Sequence, residues 1–105
     1  MTRGAGAILL LLLGACAPAI SPDFHSPEPA ARNAAAVRAA AANDRSALRD
    51  LVRLLDSDDP ATRLIAITSL ERLTGTTLGY DHAGSEASRA QSIARWVDYV
   101  RKEAP

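Results

Sequence analysis

Several residue types are scarce in this 105-residue chain, and each shortage excludes something. Cysteine occurs once, so no disulfide forms within the chain and no multi-cysteine metal site exists. Aromatics are limited to one Trp, two Tyr and one Phe, leaving Trp96 as the largest apolar side chain available to a core. An excess of one charge is also missing. Twelve basic residues balance twelve acidic ones, which argues against a nucleic-acid partner, since phosphate contacts need a basic surplus. The two histidines, His25 and His82, are far apart in the sequence. Asp81-His82 is an adjacent acid–imidazole pair, but no Ser or Cys nucleophile is tied to it by a motif. Asp56, Asp58 and Asp59 lack the remaining ligands and the Gly of a calcium loop, and read instead as a solvated capping cluster. No catalytic residue, metal site or enzymatic activity is therefore expected. The longest apolar run, residues 5–13, is far short of the ~20 residues that span a bilayer core.

That short run has its own meaning. Arg3 gives a positive start, residues 8–13 are a solid aliphatic block, and small residues follow: the pattern of a secretory signal. Leu13-Gly14-Ala15-Cys16 resembles the lipobox of bacterial lipoproteins, an aliphatic residue and two small residues before Cys. The resemblance implies signal-peptidase recognition of Leu13, Gly14 and Ala15, cleavage before Cys16, and a covalent diacylglycerol and acyl chain on Cys16. No other cofactor is expected. The alternative is a plain secretory signal cut within Ala15-Cys16-Ala17. Two or more acyl chains anchor stably where one holds only marginally. In the family's sorting logic, Ala17 rather than Asp after the Cys favours the outer membrane, facing the periplasm. The expected organisation is a lipoprotein signal over 1–15, an acylated Cys and Pro-rich tether over 16–29, and a helical domain over 30–105. The tether reading rests on Pro18, Pro22, Pro27 and Pro29, which deny a helix or sheet its donors. Phe24 inside it is either a docking contact or idle.

The domain reads as all-α. Residues 30–42 are nearly all Ala, the best helix former, with a thin face proposed at Ala30, Ala34, Val37 and Ala41. Asn43-Asp44 closes this helix and opens the next. Leu48, Leu51, Val52 and Leu55 then fall at i, i+3, i+4 and i+7. Asp59-Pro60 is an N-cap followed by a first-position proline. A third helix over 60–74 carries Thr62, Ala66, Leu70 and Leu73 on one stripe, broadened by Leu64 and Ile67. Gly75 is its stop. After a loop, a last helix from about Ser85 buries Ala90, Ile93, Trp96, Val97 and Val100. The expected core is Leu51, Leu55, Ala66, Leu70, Leu73 and Trp96.

Residues 51–75, Leu-Val-Arg-Leu-Leu-Asp-Ser-Asp-Asp-Pro-Ala-Thr-Arg-Leu-Ile-Ala-Ile-Thr-Ser-Leu-Glu-Arg-Leu-Thr-Gly, resemble a HEAT repeat of the type also seen in bacterial phycobilin-lyase-like repeats. The resemblance implies a structural turn built on Asp59, Pro60 and Arg63, with Arg63 reaching Asp58, Asp59 or the next turn. It covers about one repeat, residues 47–75. The fold expected is a four-helix HEAT-like pair of α-hairpins, a short α-solenoid of modest stability. Such arrays bind protein partners. The expectation is thus a membrane-anchored scaffold in the bacterial envelope, with a partner no sequence feature identifies. The alternatives are an accessory subunit of an enzyme system, as in the lyase-like relatives, and a non-specific envelope spacer.

Overall fold

The computed structural model describes residues 19–103, which are all-helical with no strand. Helix α1 spans Pro29–Ala41. A single 3₁₀ turn, Arg45–Ala47, runs into α2, Leu48–Leu54. Helix α3 spans Pro60–Thr74 and α4 Glu86–Glu103. The residues proposed for signal-peptidase recognition and lipidation, Leu13 to Cys16, lie outside the described residues.

The helix boundaries follow local chemistry. Asn43 adopts a left-handed φ of 52° just past α1. The Asp44 carboxylate accepts the Ser46 backbone N–H and opens the 3₁₀ turn. Asp59 caps α3 by accepting the Ala61 N–H, with Pro60 in the first turn, a cap that contributes about 1 kcal/mol. Gly75, at φ 83°, ends α3 in a conformation that other residues adopt only with strain. Ser85 Oγ accepts the Ser88 N–H at the start of α4.

Packing places α1 against α3, and α2 against both α3 and α4. Alternate helices are therefore neighbours, and the α2–α3 hairpin joins the two rows into a short solenoid-like stack. Leu51, Leu55, Leu70, Ala66 and Trp96 are fully enclosed in the shared core, and Leu73 is nearly so. Each fully buried leucine contributes roughly 1.5–3 kcal/mol relative to exposure. The expected core is present in full.

Three buried faces differ in part from the expected ones. In α1 the buried residues are Ala31, Ala35, Ala36, Ala39 and Ala40, while Val37 is 56% exposed. An all-methyl stripe lets the α1 backbone approach α3 closely, and the hydroxyls of α3 exploit it. Thr62 Oγ1 bonds the Asn33 side chain at 2.8 Å, and Ser69 Oγ donates to the Ala36 carbonyl at 3.3 Å. A valine in that seam would hold the helices apart, so Val37 faces outward. In α3 itself Ile67 is buried but Leu64 is 44% exposed. In α4, Ser92 rather than Ala90 joins Trp96 and Val100 inside, and Val97 is 38% exposed.

The segment preceding α1 is not fully extended away from the domain. Phe24 packs, partly buried, on the core, and the Asp23 N–H reaches the Ala31 carbonyl at 3.0 Å. His25 Nε2 lies 3.6 Å from the Asp50 carboxylate.

Candidate interaction surfaces

The residues singled out in the α2–α3 turn converge, although not as carboxylate partners. Arg63 is 9% exposed. Its Nη1 donates to the Ser57 carbonyl at 2.9 Å and the Asp58 carbonyl at 3.3 Å, and its Nε donates to the His82 carbonyl at 3.1 Å. The contact to Asp58 thus runs through backbone, not through an acid side chain. Asp59 is already engaged with the α3 N-terminus and with Thr62 Oγ1, and Asp58 is turned to solvent. The guanidinium satisfies the orphan carbonyls of a turn that lacks helical partners for them.

The same device organises the loop between α3 and α4. Three successive carbonyls receive donors from α4: Thr77 from Trp96 Nε1 at 2.9 Å, Leu78 from Arg95 Nε at 2.9 Å, and Gly79 from Ser92 Oγ at 3.1 Å. Leu78 and Gly79 both have positive φ, 51° and 76°, at the centre of a tight turn closed from Tyr80 N–H to the Thr77 carbonyl. This turn is not visible in an apolar periodicity, since its anchors are donors on a later helix. Asp81 is also used locally: its carboxylate accepts the Ala83 N–H at 2.9 Å. Among the described residues, no group of three or more His, Cys, Asp or Glu is placed to hold a metal ion. No helix among them is long and apolar enough to cross a membrane.

Tyr80 closes the core end of this loop. It is 6% exposed, and its hydroxyl donates to the Leu55 carbonyl at 2.7 Å. Burial pushes its phenol pKa above the ordinary 10, against the opposing pull of Arg63 and Arg89. Tyr80→Phe is expected to lose about 1–2 kcal/mol at neutral pH, because the Leu55 carbonyl is left without this donor. The raised folded pKa makes the tyrosine's contribution complete below the unfolded value. It is lost as pH rises through the folded value, since the unfolded chain releases its proton first. Urea titrations at neutral and alkaline pH check this: the alkaline fall in stability should be smaller in Tyr80→Phe, and parallel falls would contradict it.

Among the open grooves on the described surface, two lie between helices. One, of about 370 Å³, lies between α2 and α4 and is lined by Arg49, Val52, Arg53, Val97, Val100 and Arg101. The other, of about 330 Å³, lies between α1 and α3, where the outward Val37 and Leu64 meet Ala40, Ile65 and Arg72. At the first groove Arg53 meets Asp50 at 3.0 Å and Arg101 meets Asp98 at 3.7 Å, each at i,i+3. The described part of the molecule is an all-helical stack with two open inter-helix grooves. No protein-family model, curated protein or solved structure matches the chain.

Proposed function

We propose that this chain is a lipid-anchored protein of the bacterial envelope that acts as a small protein-binding scaffold through HEAT-like helices. The stacking of alternate helices supports the scaffold reading, because it leaves inter-helix grooves open on both rows. The lipobox-like Leu13-Gly14-Ala15-Cys16 supports the anchor, and Ala17 after it favours the outer membrane facing the periplasm. Asp59, Pro60 and Arg63 are the structural residues of the repeat turn, and no catalytic role is assigned to any residue in this reading.

The docking of Phe24 adds a geometric consequence. Seven residues lie between it and Cys16, so the eight residue steps that join them span at most about 28 Å. The domain would sit close to its membrane, and its partner would be a protein of that membrane or just above it. The test has two arms in intact cells. Cys16→Ser is expected to move the chain from washed membranes to the soluble fraction; retention in the membranes overturns the anchor. A photo-crosslinker placed on the domain surface is expected to capture one partner in constant ratio. A spread of abundant envelope proteins overturns the scaffold.

A further inference from the structure

We propose that the groove between α2 and α4 is the docking site for an acidic amphipathic helix of a protein partner. The inference rests on the scaffold reading and names the surface and the chemistry it would use. The floor of the groove is aliphatic: Val52 and Val100 are buried within it and Val97 is 38% exposed. Its walls carry guanidiniums from both helices, Arg49 and Arg53 on α2 and Arg101 on α4. No acidic side chain lines it.

This arrangement specifies a complement. An apolar stripe would sit on the valines, and carboxylates flanking that stripe would meet arginines on either wall. A helix with leucines at i, i+3, i+4 and i+7 and glutamates beside them has that form. The existing pairs do not block it. The Arg53 and Arg101 side chains are 63% and 74% exposed while pairing with Asp50 and Asp98, and exposed pairs of this kind contribute little. A carboxylate delivered by a docked helix would meet the same guanidiniums with water excluded, where bidentate contact is stronger. An anionic bilayer surface would engage the arginines but leave the valine floor unfilled. The α1–α3 groove is the poorer candidate for an acidic helix, since Arg72 is the only charged residue lining it.

The probe is a fluorescently labelled helical peptide with that leucine–glutamate pattern, titrated into the full chain in mild detergent and read by anisotropy. The comparison peptide has the same composition with the pattern scrambled. Binding of the patterned peptide is expected, weakening as salt rises. Combined Arg53→Glu and Arg101→Glu should weaken it about tenfold or more. Arg72→Glu, on the other groove, should change it by less than about twofold. All three positions are exposed helix sites, and unchanged thermal melts confirm that the variants fold. Absence of binding, equal binding of the scrambled peptide, or a double-variant loss no larger than that of Arg72→Glu overturns the proposal. If the groove fails while crosslinking in cells still captures one stoichiometric partner, the scaffold reading stands without it. If crosslinking fails as well, both fall.

Discussion

Trp96→Ala is expected to remove most of the folding free energy of the helical domain. The indole is fully enclosed, donates Nε1–H to the Thr77 carbonyl, and meets the Tyr99 ring edge-on at 5.4 Å. Truncating a buried tryptophan costs about 3–5 kcal/mol, through lost burial and the cavity left behind. Small domains lie toward the low end of the usual range of about 5–15 kcal/mol, so such a loss approaches the whole. The position is also a junction. Trp96 holds the 75–85 loop by its donor while its ring fills the space between α4 and the α2–α3 hairpin, so its removal loosens the loop and the core together. Trp96→Phe separates the two contributions. It keeps a ring in the core, loses the bond to Thr77, and should cost clearly less, about 1–3 kcal/mol. Urea unfolding followed by circular dichroism measures both. An alanine variant as stable as the phenylalanine variant would show that the ring is not what closes the core.

The α2–α3 hairpin was the most legible part of the sequence because its signals agree with one another. The stripe at Leu48, Leu51 and Leu55, the Asp59-Pro60 start and the Gly75 stop each carry a separate physical reason, and all are realised. The face of α1 was not legible. Alanine surrounds that helix, so size contrast points to its one large apolar residue, Val37. The seam with α3 is instead built on the absence of size, and Val37 is excluded from it. The inner face of α4 departs from the expected one for a different reason. Apolar periodicity favours Ala90 and Val97 over Ser92, but the loop carbonyl at Gly79 needs a donor, and only the serine supplies one. Buried polar residues chosen to satisfy a distant backbone leave no periodic trace. The same holds for the groove surfaces. Arg49, Arg53 and Arg101 are each ordinary helix-surface residues in sequence, and only the packing of α2 on α4 sets them around common valines.

Arg63→Met should also be strongly destabilising, although it conserves length and much of the apolar stem. The guanidinium serves three carbonyls in two directions, those of Ser57 and Asp58 at the α2–α3 turn and that of His82 in the next loop. Hydrogen bonds to a charged donor contribute about 1.5–3 kcal/mol each. Water can reach part of this turn after the substitution, so a net loss of about 3 kcal/mol is expected rather than the full sum. Arg63→Lys should recover less than half of it, because a single ammonium cannot span both the turn and the loop as a planar fork does. Hydrogen exchange should rise in residues 76–84 before α3 itself is affected. The coupling to Tyr80 is the sharper readout. Tyr80 ties the same loop to the Leu55 carbonyl, two residues before the carbonyl of Ser57 that Arg63 holds. With either tie in place the loop remains docked on the hairpin, whereas loss of both leaves it held only from α4. The double variant Arg63→Met, Tyr80→Phe should therefore lose more stability than the two single losses together, by about 0.5 kcal/mol or more. Additive losses in urea titrations would mean that the turn and the loop are held independently.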